Sequence, residues 1–526
     1  MKKIVLLLTI TAALFVVGCD KEDFLDQPLQ GRETLDDFLS NPDNLEGFVN
    51  GLYRKVNGEK WWMVNFQRQI NDMATDDNWA GNTAQPRPDI FGIAQYNVFA
   101  GSTYFNAFWE HNYIGITRVN IALDNLPESS ISEDLKSRFT GEAQFLRAFF
   151  YFELVRNFGG VPIVTTYSEL FDPSINDKTR ATVAEVYALI EDDLEDAING
   201  LPEKSEYAAE DLGRATKGAA QALLAKVYLF QEKWAEAQAM AKTVMDLGEY
   251  SLEPDFADIY KVGNANGVES IFGVEFVSNP NLVDVGGYLS QTNGSRGDGG
   301  WGWGSPTSDL ENAFLSEGDN IRLQSTIIKH GEPVFGDPEV TEFDGKPSEN
   351  KSGRTNRKYY LPKAERPANY VQGQLPGHVL YLRLADVILI HAEAAFFNGD
   401  ETSAKNSLKL IRDRVGLSTN MSLADSALRD AIWKERRLEL ALEQHRLYDL
   451  RRQKINGVPR IALILGSTGS FVKYNTEVST DPFETTNLKE SQDSGVLFDP
   501  SIHLLWPIPP EEIQASRGNL EQNPGY

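Results

Sequence analysis

The chain has 526 residues, 41% of them hydrophobic and 24% charged, a globular composition and not a disordered one. Its formal net charge of −26 argues against a nucleic-acid ligand, because phosphates are repelled by such a surface. Aromatic residues reach 11%, with nine Trp, so rings are available for recognition as well as for packing.

Residues 1–18 read as a secretory signal: Lys2-Lys3, then an apolar run from Ile4 to Val17. The run ends in Leu14-Phe15-Val16-Val17-Gly18-Cys19, which resembles a bacterial lipobox. Cys19 is the only cysteine, so it has no disulfide partner. Lipidation there would make it the first mature residue, with acyl chains buried in a bilayer. Lys21-Glu22-Asp23 resembles the signal that sends some lipoproteins to the outer face of the outer membrane. No later run is long and apolar enough to span a bilayer.

Asp23–Pro28 reads as a tether. A helix is expected around 42–58, with Leu45, Phe48, Val49 and Leu52 on one face. The region 61–100 holds Trp61-Trp62 and then a loop in which Trp79 stands among Asp77, Asn78 and Asn82. A ring beside carboxylates and amides suits a sugar, whose apolar face stacks while its hydroxyls pair. The competing reading is that Trp79 plugs the loop onto the core. Helices are expected over 104–126, 134–158 and 182–200, the second stopped by Gly159-Gly160-Val161-Pro162. Within it, Arg147 and Glu153 are expected to cap or pair inside a helical stack.

The stretch 214–248 reads as a helical hairpin. Ala220, Leu223, Leu224 and Val227 share one face, Gln231-Glu232-Lys233 is the turn, and Trp234, Ala237, Ala241 and Val244 follow. A second hairpin, 385–416, turns at Asn398-Gly399-Asp400. Two such units look like tetratricopeptide repeats, which must stack to bury their apolar faces. Between them, 269–274 reads as a strand, and Lys358-Tyr359-Tyr360 as a strand-like fragment. The region 280–306 is rich in Gly, Ser and Asn and contains Trp301 and Trp303 among glycines, which suggests displayed rings. Pro306-Thr307-Ser308-Asp309-Leu310 opens a helix. The last helix is expected over 425–452, with Glu435, Glu439 and Glu443 on one face as a salt-bridge ladder. The tail, with its prolines at 507, 509 and 510, is expected to lie extended over the body.

Read together, the lipobox, EAQFLRAFFYFELVRNFGGVP at 142–162, RATKGAAQALLAKVYLF at 214–230, LRLADVILIHAEA at 382–394, KERRLELALEQHRLYDLRR at 434–452, LLWPIPPEEI and the terminal QNPGY resemble the SusD/RagB outer-membrane nutrient-binding lipoproteins. The resemblance implies a single mostly α-helical domain over 19–526, with tetratricopeptide-like repeats, long loops and a few short strands. It implies a non-catalytic surface protein without cofactor or metal. Such a protein would capture a glycan and deliver it to a SusC-like TonB-dependent transporter, held to the outer membrane by lipid at Cys19. Trp79, Asp77, Asn78, Asn82, Trp301 and Trp303 would be its ligand contacts. Two other readings stay open: a peptide-capturing member of the same family, and a surface glycoside hydrolase built on two carboxylates. No His-Glu-x-x-His, Gly-x-Ser-x-Gly or phosphate-cradling loop stands in the sequence.

Overall fold

The computed structural model describes residues 35–57, 71–80, 88–172, 175, 177–279, 287–346, 352–367, 375–466, 469–470 and 498–526. Cys19, Trp61, Trp62 and Asn82 lie outside the described residues, as does the expected tether. The N-terminal half is a stack of rods: α1 (Pro42–Asn57), α2 (Thr103–Asn125), α3 (Glu133–Phe158), α4 (Val183–Gly200), α5 (Lys217–Phe230) and α6 (Trp234–Asp246). Helix α3 is apolar around most of its circumference, so it lies in the middle with Phe145, Phe149, Phe150 and Phe152 buried. Ser132 caps α3 and a reciprocal Thr182–Glu185 box caps α4, each satisfying amides that a helix start leaves open. Arg147 pairs with Asp193 of α4 at 2.7 and 2.8 Å and donates to Asn120 of α2, so it ties three rods together. Glu153 pairs with Arg156 on its own helix.

The C-terminal half adds α7 (Leu289–Asn293), α8 (Ser308–Glu317), α9 (Leu384–Phe397), α10 (Glu401–Arg414), α11 (Asp425–Glu439), α12 (Arg446–Arg452) and α13 (Pro510–Ala515). The hairpins α5–α6 and α9–α10 pack on each other through α6 and α9. Small residues permit the approach: Ala219, Ala220, Ala237 and Ala241 have no exposed surface. At the two turns Trp234 stacks on Phe397 at 4.5 Å, and Gln238 joins Asn398 to Asp400.

The expected strand at 269–274 is present as β2 (Ser270–Phe276), antiparallel to β6 (Gly377–Arg383). Two further short pairs join β1 (Asn78–Trp79) to β3 (Ser305–Pro306), and β4 (Ile327–Lys329) to β5 (Arg354–Asn356). Residues 358–360 are a turn and not the strand-like fragment expected there. Lys358 and Tyr360 instead reach inward to Glu443 and Asp337.

The helix expected over 425–452 is broken. Leu442 and Gln444 have φ of 62° and 72°, and the chain turns between α11 and α12. The break is held from outside the helix: Arg383 donates to the Glu439 carbonyl at 2.8 Å, and Asp72 accepts from the Gln444 amide at 3.1 Å. The turn brings Glu439 and Glu443 onto Arg383, where they pair at 2.6 and 2.8 Å. The expected ladder therefore exists, but as a buried cluster with Arg322, Arg414 and Lys358. The tail is extended over 506–509 and 521–523 but is interrupted by α13, by the turn at 516–518 and by a turn at 524–525; Trp506 is 1% exposed, and Asn523 donates to the Phe158 and Trp506 carbonyls.

Candidate functional site

The two loop regions singled out in the sequence meet at one place. After α7, residues 299–304 fold back on its C-terminal end. The amide of Trp301 donates to the Gln291 carbonyl at 2.7 Å, Gly302 to Gly294 at 2.8 Å and Trp303 to Thr292 at 2.7 Å. These bonds occupy carbonyls that a helix end leaves without partners. Gly302 and Gly304 have φ of 69° and 76°, a region glycine enters without strain. At Gly300 the need is steric: a Cβ there would lie 2.2 Å from the Gly294 backbone.

This fastening sets Trp301 and Trp303 side by side, with ring centroids 4.8 Å apart and planes inclined by 58°. Tyr288, at the start of α7, lies 6.1 Å from Trp301 at 43°. All three rings are half-buried, and Trp303 also packs against the main core. The pair is thus neither free-standing nor interior. Tyr288 is the residue the sequence reading missed. The available signal was its position in the same Gly- and Asn-rich stretch as the two tryptophans.

The strand β3 follows directly, and its pairing places Asn78 opposite Pro306 and Trp79 opposite Ser305. Thr307 completes the joint: its amide and hydroxyl donate to the Asp77 and Asp76 carbonyls at 3.0 and 2.6 Å. Its hydroxyl also accepts from Leu310 at 3.2 Å, capping α8.

Here the expectation for the first loop needs correction. Trp79, Asp77 and Asn78 are 3%, 1% and 3% exposed, so they are not a displayed sugar platform; the reading of Trp79 as a core plug is the one the structure takes. The carboxylates are already claimed. Arg437 donates to Asp77 at 2.7 Å, and Arg446 holds Asp76 at 2.7 and 2.9 Å. Burial alone would raise Asp76, but Arg437 and Arg446 hold it well below the usual carboxylate range. These residues form the footing beneath the Trp301–Trp303 loop.

Carboxylates elsewhere follow the same logic. Glu439 is bound by Arg383, Arg322 and Arg414, and Asp449 by Arg436 and Arg452. Both are buried, and their arginines hold both well below the ordinary range against the opposing effect of burial. Neither is poised to carry a proton near neutrality. Among the described residues no His, Cys, Asp and Glu cluster could hold a metal ion.

Comparison with known proteins gives the family. Residues 23–229 match a family model described as "Starch-binding associating with outer membrane", and residues 268–526 match the SusD family model. The chain belongs to the SusD/RagB family. A SusD-like protein of Bacteroides ovatus is 26% identical over 480 residues, covering 86% of this chain and 82% of that protein. A SusD-like protein of Formosa agariphila is 25% identical over 549 residues, covering 99% and 98%. Among solved structures, a laminarin-binding SusD-like protein has a TM-score of 0.73 at 26% identity, covering 92% of this chain and 100% of that one. Surface glycan-binding protein A from Bacteroides fluxus shares the fold, with a TM-score of 0.72 at 21% identity over 92% of this chain and 100% of its own. In this SusD/RagB chain the β1–β3 pairing joins the two separately matched parts.

Proposed function

We propose that this SusD-like chain captures a glycan on the Tyr288–Trp301–Trp303 ring cluster and performs no bond cleavage. The observation that carries the reading is the mounting of the rings: a glycine loop zipped to α7 and footed on β1 holds two half-exposed indoles at a fixed angle. Rings fixed in advance lose little conformational freedom when a sugar stacks on them. The likeness to a laminarin-binding protein supports the same chemistry.

Purified protein is expected to be retained on a glycan affinity gel for at least one polysaccharide of a panel. Trp301→Ala and Trp303→Ala should each weaken retention roughly tenfold or more, about 1.4 kcal/mol. Unchanged retention in both variants removes the loop from the site. Release of new reducing ends from the retained glycan overturns the non-catalytic reading.

The same proposal extends to delivery. Lipid on Cys19 would hold the protein at the outer membrane, where it would pass its cargo to a SusC-like TonB-dependent transporter. No helix among the described residues is long and apolar enough to cross a membrane. Cys19→Ala should move the protein from the membrane fraction to the soluble one. A variant that still floats with outer membrane defeats the anchor.

A further inference from the structure

A second pocket shares no residue with the ring cluster. A groove of about 290 Å³ opens between α2, residues 162–178 and the end of α13. That volume stands near the lower end of the roughly 300–1,000 Å³ range that holds small molecules. Trp109, Tyr113 and Ile116 fall at helical spacing along α2 and give the groove one apolar wall. Pro162, Val164 and Leu520 add buried apolar surface.

The walls are fixed before anything binds. The Trp109 and Tyr113 rings have centroids 5.0 Å apart with planes inclined by 35°, and Trp109 meets Phe158 edge-on at 5.2 Å. The Tyr113 hydroxyl donates to the Pro162 carbonyl at 2.7 Å. After α13, the Ser516 hydroxyl donates to the Ile513 carbonyl at 2.8 Å and accepts from the Leu520 amide at 3.0 Å.

Two carboxylates belong to this apolar groove, Glu110 from α2 and Glu512 from α13. Among the described residues neither forms an ion pair. The one cation lining the groove, Lys178, is already spent on Glu169 and on the Ile163 carbonyl at 2.7 Å. Asp76, Glu439 and Asp449, by contrast, each hold an arginine. Burial pushes the Glu512 carboxyl above its ordinary value, and Glu110 and Glu511 push it the same way, while the Trp109 indole works against them. Like charges on an apolar groove, with no cation of the protein's own beside them, are the complement of a cation brought from outside.

We propose that this groove binds an amphiphilic organic ammonium, with a ring-sized apolar body against Tyr113 and Val164 and its charge on Glu110 and Glu512. The Trp109 and Tyr113 rings favour the same occupant, because aromatic faces attract cations. A neutral ligand would leave the two carboxylates as unpaired as they are now, and an anionic one would be repelled.

The test is isothermal titration calorimetry on the intact mature protein with three probes of one shape: tryptamine, its neutral alcohol tryptophol, and the anion indole-3-propionate. Tryptamine should bind saturably, tryptophol at least tenfold more weakly, and indole-3-propionate more weakly still. Glu512→Gln should weaken tryptamine at least tenfold and leave tryptophol unchanged, a difference that a merely structural role would not produce. Ala515→Trp, at an exposed position lining the groove, should abolish binding by filling it, with an unchanged circular dichroism spectrum. The Trp301→Ala/Trp303→Ala double variant should bind tryptamine as the parent does, so failure here and failure of glycan capture are separate results. The proposal is overturned by no saturable tryptamine binding up to millimolar concentration. Tryptophol or indole-3-propionate binding as tightly as tryptamine has the same consequence, as does tryptamine binding that survives Ala515→Trp or that disappears with Trp301 and Trp303.

Discussion

Trp79 and Trp301 look alike in the sequence, each an indole among small polar residues, yet the chain uses them oppositely. What decides is the fate of the neighbouring charges. Asp76 and Asp77 are taken by Arg446 and Arg437, residues separated from them by about 360 positions, so no local pattern could reveal that the loop is drawn inward. Around Trp301 the neighbours are glycines with nothing to pair, and the ring stays half-exposed. Substitutions should separate the two roles. Trp79→Ala opens a cavity in the core and should cost about 3–5 kcal/mol of stability. Asp76→Ala leaves Arg446 buried without its bidentate partner and should cost a similar 3–5 kcal/mol. Trp301→Ala should cost far less. Urea denaturation midpoints of the three variants check this, and a Trp79→Ala protein as stable as the parent would show that the ring does not hold the loop.

At the scale of elements, the rods were legible and their interruptions were not. Helices α2, α3 and α4 start and stop where periodicity, capping residues and glycine place them, because those signals act over a few residues. The hairpins α5–α6 and α9–α10 were legible for the same reason, since each turn and each alanine face lies within one short stretch. The break after Glu439 has no such signal: Leu440, Ala441 and Leu442 continue the apolar pattern, and the helix is stopped by distant residues, Arg383 on β6 taking the Glu439 carbonyl and Asp72 taking the Gln444 amide. The same division holds in the site. That glycines surround Trp301 is visible; that Gly300 touches Gly294 is a contact between two turns of a folded loop. Gly300→Ala should therefore displace the ring pair without loosening the stack of rods. The expected result is a loss of glycan retention comparable to Trp301→Ala with a thermal midpoint within a few degrees of the parent. Full retention in Gly300→Ala would mean that the zipped geometry is not what presents the rings.

For the whole molecule the decisive feature is how much charge it buries. The cluster around Arg383 joins Glu269, just before β2, to β6, α10 and the α11–α12 turn, so it holds the start of the strand pair to the C-terminal helices. Burial alone would raise Glu443, but Arg383 and Lys358 reverse this and bring its pKa from 4.5 to about 2. Glu439, Asp76 and Asp449 are shifted in the same direction, against burial, by their arginines. A carboxylate depressed in the folded state stabilises it fully above its unfolded pKa and ceases to do so as pH falls through the folded one. For Glu443 that window runs from 4.5 down to about 2. Buried tyrosines act at the other limit: burial lifts Tyr250 and Tyr448 from 10.0 to about 12, so their contribution is complete below pH 10.0 and disappears as pH climbs toward 12. Stability should accordingly be level near neutrality, fall steeply below about pH 4.5 and fall again above about pH 10. Glu443→Gln tests the assignment of the acid limb. It should lower stability at pH 7 and flatten the loss between pH 4.5 and 2 relative to the parent, because one of the groups that must be protonated is gone. Denaturant midpoints measured across that range check it, and an acid limb of unchanged steepness in Glu443→Gln would place the titrating groups outside the Arg383 cluster.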